Sequence, residues 1–259
     1  MNLPALARAL ADAAAYLGGG ATDPAPIERT DRAPWVWCSA QALRSRVDAA
    51  ALAGQVTDGD VGAGVRAHPD GWLELTLTPA FLAAALLAAP DDEAAADRPG
   101  DEFDDAVARF EAARTAGGAP ALDPTLAGRR IPANPAFVVL LAHARAVRLA
   151  HSSGIGRADV PAEAFAELAD PLDRALITEL LDAPRRMATR TPAPEEVAAC
   201  LSAVATAYLA WEERAPVRPT RPGQPSDAVH LARQVVSLAG LGVLERGMSL
   251  LGITPTGRM

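Results

Sequence analysis

The chain of 259 residues carries 24 basic and 32 acidic residues, a formal charge of −8 at pH 7, and is 50% hydrophobic but only 4% aromatic. That length accommodates one large or two modest domains with real cores, and a composition short of aromatics and rich in alanine favours close-packed helices over a sheet-rich fold. The acidic balance excludes a whole-molecule attraction to nucleic acid, so any such binding must rest on a local patch.

Cys38 and Cys200 are too few for a disulfide framework and lack metal-ligand spacing, as expected in a reducing cytosol. No signal peptide is expected ahead of the first helix, and the apolar run 80–89 is too short to span a bilayer.

Leu3, Leu6, Leu10, Ala14 and Leu17 recur at helical spacing and stop at Gly18-Gly19-Gly20, which predicts an opening helix. Residues 24–32 read as a loop, Trp35-Val36-Trp37-Cys38 as a short strand and 40–53 as a helix. Alternation from Trp72 to Thr78 predicts a half-buried strand, with Val61 and Val65 on its partner, and Pro79 opens another helix. Trp35, Trp37 and Trp72 are expected to pack in a core.

The segment 91–105 holds eight acids against Arg98 alone, with Pro90, Pro99 and Gly100 as breakers, and reads as a solvated linker. One exposed helix is predicted over 103–115. By contrast, 127–158 contains no acid and five arginines, Arg129, Arg130, Arg145, Arg148 and Arg157, a basic island whose guanidinium forks suit phosphate.

Within the island, Asn134 before Pro135 reads as an N-cap followed by proline at the first helical position, where its missing N–H is no loss. Phe137, Leu140, Leu141, Ala144 and Val147 share one face, and Val138, Val139 and Leu149 make the other sides apolar, so this helix is expected to be central and enclosed. Its polar exceptions, His143, Arg145 and Arg148, then need partners, either internal carboxylates or a ligand. Three further apolar repeats predict a helical bundle: Phe165, Leu168, Leu172, Leu176 and Leu180 or Leu181; Val197, Leu201, Val204, Ala205, Tyr208 and Trp211; Leu231, Val235, Leu238, Leu241 and Leu250.

The run from Asn134 to Arg145, N-P-x-x-x-V-x-L-A-H-A-R, resembles the opening helix of the DALR-type anticodon-binding domain of arginyl-tRNA synthetases. The last residues, Leu250-Leu251-Gly252-Ile253-Thr254-Pro255-Thr256-Gly257-Arg258-Met259, are similar to that family's L-L-G-I-x-x-P-x-R-M ending. His68 to Leu77 resembles the strand and helix start that close the family's N-terminal additional domain, with Glu74 where that motif carries Asn. A departure lies at Pro194-Glu195-Glu196-Val197-Ala198-Ala199-Cys200-Leu201, where the family shows P-H-R-x-x-x-Y-L.

The resemblance implies an α+β, mainly α chain: a small α/β domain over 1–90, an acidic linker over 91–121 and a DALR-like bundle over 122–259. It also implies a missing catalytic core, since only 90–121 fills the interval that the core occupies in the family. No two histidines are three apart with Gly before the second, and without lysine neither a K-M-S-K-S loop nor a P-loop is possible.

The function expected is therefore non-catalytic binding of tRNA, of the arginine-acceptor class, to select it for or deliver it to a partner enzyme in the cytoplasm. No cofactor, metal, DNA or membrane partner is expected. Arg129, Arg130, Arg145 and Arg148 are the candidate RNA contacts, and the resemblance adds Arg258 and Met259, though Met259 equally suits a hydrophobic plug. The alternative is a protein-interaction module that kept the bundle and lost the RNA, for which Glu195, Glu196 and the acidic run speak. An enzyme is disfavoured because Cys38, Cys200 and four scattered histidines offer no nucleophile–base spacing.

Overall fold

A computed structural model describes residues 2–20, 23–30, 35–57, 62–88, 102–153, 160–187, 192–219 and 225–254. The chain divides into two compact units, Met1–Ala88 and Ala89–Met259. The fold is α+β and mainly helical, with one small antiparallel sheet.

In the first unit, Asn2 accepts a hydrogen bond from the backbone N–H of Ala5 at 3.0 Å and so caps α1 (Leu3–Tyr16), which ends at Gly18 with φ +83°. The expected loop at 24–32 contains a three-residue edge strand, β1 (Ile27–Arg29), paired with β2 (Val36–Ser39). Its single inward residue, Ile27, is too short a signal for alternation to register. The helix expected over 40–53 is two helices, α2 (Gln41–Ser45) and α3 (Ala49–Thr57). Arg46 ends the first in the left-handed region at φ 58°, and Asp48 accepts from the Ala51 N–H at 2.8 Å to start the second.

Strands β3 (Ala63–Ala67) and β4 (Leu73–Leu77) complete the sheet in the order β1-β2-β4-β3, every pair antiparallel. Helix α4 (Pro79–Leu87) follows, capped by Thr78. Trp37 stands opposite Leu75 in the register, and both are buried with Leu73 and Leu77 on one face. Trp35 and Trp72, expected in a core, are only half-buried.

The second unit is the bundle. Its first helix, α5 (Phe103–Ala116), lies in the segment expected to be linker and exposed helix, yet Ala106, Val107, Phe110 and Ala113 are buried and the helix packs on α9 (Pro194–Arg214). The neighbouring acids hid an apolar stripe at three- and four-residue spacing. After the short α6 (Pro124–Ala127) come α7 (Pro135–Ser153), a 3₁₀ turn (Ala162–Glu167), α8 (Pro171–Met187) and, beyond α9, α10 (Ala228–Leu250).

The central helix is α9, not α7: it touches α5, α7, α8 and α10, and Val197, Leu201, Val204, Ala205, Tyr208 and Trp211 are fully buried. Helix α7 turns Ala136, Val139, Ala142, His143 and Ala146 inward, whereas the expected face of Phe137, Leu140, Leu141, Ala144 and Val147 is only half-buried.

Helix α10 shows the same inversion. It buries Ala232, Val235, Ala239, Gly240, Val243, Leu244, Gly247 and Met248 and leaves Leu231, Leu238 and Leu241 half-exposed. The reason is close approach. A β-carbon on Gly240 would lie 3.0 Å from the Tyr208 ring, and one on Gly247 would lie 2.6 Å from a Leu201 methyl, so small residues must face the neighbours.

A buried polar knot joins three helices. Asp173 on α8 is fully buried and accepts from Arg233 Nε at 2.9 Å and Nη2 at 2.8 Å on α10, and from Trp211 Nε1 at 2.7 Å on α9. Arg233 also donates to the Pro216 carbonyl at 3.2 Å, which ties down the chain after α9. Charge and hydrogen bonds are thus matched, as burial demands.

Candidate nucleic-acid interface

The site is built on Asn134, which is completely buried. Its Oδ1 accepts from the N–H groups of Ala136 at 3.1 Å and Phe137 at 3.3 Å, while Nδ2 faces the carbonyls of Leu126 at 3.2 Å, Ala127 at 3.0 Å and Arg129 at 3.1 Å. One side chain therefore starts α7 and pins the loop that carries Arg129 and Arg130 to the start of that helix. The first-turn amides and helix dipole make that end electropositive.

Arg129 and Arg130 are exposed, and among the described residues neither has an acidic partner. The Arg130 guanidinium carbon lies 5.1 Å from the centroid of the Phe103 ring. Phe103 in turn meets Phe137 edge-to-face, with centroids 6.5 Å apart and planes at 69°. Both rings are half-buried. Phe103 had no place among the sequence candidates because it sits within the acid run; the one clue was an aromatic in a stretch otherwise read as solvated.

Further along α7, Arg145 and Arg148 converge on Glu212 of α9, with Arg145 Nη1 at 2.6 Å and Arg148 Nη2 at 3.4 Å. The Arg148 side chain is 70% exposed and Glu212 only 14%, so one recessed carboxylate offsets part of two positive charges and leaves Arg148 reaching outward. Phe137, Leu141, Ala144 and Arg148 fall within one stripe of the helix, about 16 Å long at 1.5 Å per residue. The structure thus brings Arg129, Arg130, Arg145 and Arg148 onto α7 and the loop before it. Arg258 and Met259 lie outside the described residues.

His143, the remaining polar exception, is turned inward. Its Nε2 stands 3.5 Å from Glu245 Oε1, and neither ring nitrogen has a hydrogen-bond partner among the described residues. Cys200, where the family resemblance leads to an aromatic residue, is fully buried, and burial pushes its thiol up to about 11 against the opposing charge of Arg186.

The first unit contributes a separate concavity of about 220 Å³, lined by Thr30, Cys38, His68, Asp70, Trp72, Leu73 and Glu74. Its carboxylates are already engaged: Glu74 by Arg66 at 2.7 Å, Asp70 by His68 at 2.7 Å. Burial opposes ionisation of Asp70, yet the His68 and Trp72 hydrogen bonds hold its carboxyl below the usual range. Among the described residues no cluster of three or more His, Cys, Asp or Glu could hold a metal, and no helix is long and apolar enough to cross a membrane.

Fold and site together define a mainly helical α+β chain whose bundle presents a cationic, part-aromatic stripe along one capped helix. No family model matches the chain. Over 159 residues, 60% of its length, it is 30% identical to the arginine–tRNA ligase of Bordetella avium (strain 197N), and the match covers 27% of that protein. The chain is therefore related to arginyl-tRNA synthetases, and it spans about a quarter of the length of this relative.

Proposed function

We propose that this chain is a non-catalytic, cytoplasmic tRNA-binding protein of the arginine-acceptor class, with a DALR-like bundle, that presents its RNA to a partner enzyme. The reading rests on the relation to an arginine–tRNA ligase. The stripe on α7 gives it a physical basis: Arg129, Arg130 and Arg148 project from an otherwise acidic molecule and suit a phosphate backbone. The resemblance of the last residues to the family's ending adds Arg258 and Met259 to the expected RNA contacts. Absence of lysine removes the residue that phosphate-activating loops use, so ATP–pyrophosphate exchange with arginine is expected to stay at background.

The test is binding of purified total tRNA at low and at moderate salt, followed by identification of the bound species. Enrichment of arginine acceptors with a steep fall in affinity as salt rises supports the reading. Binding that is absent at low salt, or indifferent to salt, sinks it. Replacing Arg129 and Arg130 with Ala should flatten the slope of log affinity against log salt by about one unit per lost phosphate contact.

A second reading, a protein-docking module, is favoured by one observation: Val138, Leu140 and Leu141 are half-exposed on α7, and Glu212 offsets the charge of Arg145 and Arg148. A defined protein partner that binds equally well after the Arg129 and Arg130 replacements would favour it.

A further inference from the structure

We propose that the corner formed by Phe103, Phe137, Arg129 and Arg130 takes one unpaired base of a single-stranded RNA loop, stacked on Phe103, with the flanking phosphate on the arginines. This rests on the RNA-binding reading and deepens it by naming what the corner recognises.

The geometry carries the assignment. A face of Phe103 is reachable from outside, because the Arg130 guanidinium, itself a flat cation, sits over it with 5.1 Å between guanidinium carbon and centroid. A nucleobase is flat in the same way, and an exposed cation–π contact is weak beside base–aromatic stacking. Phe137 meets the ring edge-to-face at 6.5 Å, and that contact restrains the platform.

Charges of both signs border the ring. On α5, Asp104 and Asp105 stand about 100° and 200° round the helix from Phe103, and Val107 about 40° on the buried side. Asp105 is exposed and Asp104 lines a cleft with Ala127 and Gly128, so acids border the corner beside the face that Arg130 covers. On that face Arg129 and Arg130 are fixed through the Asn134 amide and have no acidic partner among the described residues. Displaced from the ring, Arg130 has a phosphate to turn to. A duplex cannot use the site, since its bases have both faces stacked.

The experiment uses the full chain and a fluorescein-labelled RNA hairpin with a single-stranded loop, compared with copies in which each loop base in turn is replaced by an abasic site. One abasic position should weaken binding about tenfold or more, with the salt slope unchanged, because stacking releases no counterions. Phe103→Leu should lose that discrimination while Arg129→Ala with Arg130→Ala keeps it and flattens the slope. The abasic scan needs no variant, so it decides even if Phe103→Leu fails to fold. A flat scan with salt-dependent hairpin binding overturns the stacking site and leaves the RNA reading standing. No binding of hairpin or tRNA at low salt overturns both.

Discussion

Asn134 offers the sharpest check on the site, because its two jobs can be separated by substitution. As an N-cap, Asn and Asp are about equivalent, and either is worth roughly 1 kcal/mol over Ala. Asn134 does more: its amide is shared among the carbonyls of Leu126, Ala127 and Arg129, all within 3.2 Å. Two N–H donors used at about 0.5–1.5 kcal/mol each make the loop attachment worth about 1–3 kcal/mol. Asn134→Ser keeps the cap acceptor and should lose that amount; Asn134→Ala should lose about 1 kcal/mol more. Asn134→Asp should be worst, since a fully buried carboxylate would face three carbonyl oxygens with no donor between them. The stability order is thus Asn, Ser, Ala, Asp, read as urea midpoints that fall by about 1 M for the first step. Tm should follow the same order, and so should RNA affinity, because the loop positions Arg129 and Arg130. An Asp variant as stable as the parent would show that Asn134 only caps, and the account of the held loop would be wrong.

Three further outcomes test the bundle. Asp173→Ala leaves the Arg233 guanidinium and the Trp211 N–H buried without their acceptor and should cost about 3–5 kcal/mol; Asp173→Leu combined with Arg233→Met should recover most of it, and strict additivity in that double-mutant cycle would contradict the knot. Gly247→Ala raises helix propensity by about 1 kcal/mol, yet its methyl would stand 2.6 Å from Leu201 Cδ2 and 2.8 Å from Cγ, so a net loss of about 1–2 kcal/mol is expected by thermal melting, and a higher Tm would refute the close packing. Burial raises the Cys200 thiol to about 11 and the Tyr208 phenol upward as well, so the unfolded chain gives up these protons at lower pH than the folded one. Stability is then intact at neutral pH and falls as pH rises from the ordinary thiol range toward about 11, at up to about 1.4 kcal/mol per unit for each group. Cys200→Ala should shallow that decline, and a thiol reagent should label Cys200 only on unfolding.

Local chemistry made several elements legible from the chain alone. Asn134-Pro135 marks the start of α7 because cap and first-turn preferences are set by the neighbouring backbone, and Gly252, at φ +69°, marks the end of α10 for the same reason. The strand Leu73–Leu77 and the buried stripe of α9 declare themselves by period, since each needs only one apolar face. Tertiary packing decided the rest. Periodicity assigned the leucines of α7 and α10 to the core, but helices that approach closely select Ala and Gly between them, and the larger side chains turn outward. The basic island was visible as composition, whereas its division into Arg129 and Arg130 on one side and a Glu212-bound pair on the other depends on α9 lying beside α7. Phe103 belongs to the site only because α5 brings it to Phe137, 34 positions later in the chain, a proximity that no local pattern encodes.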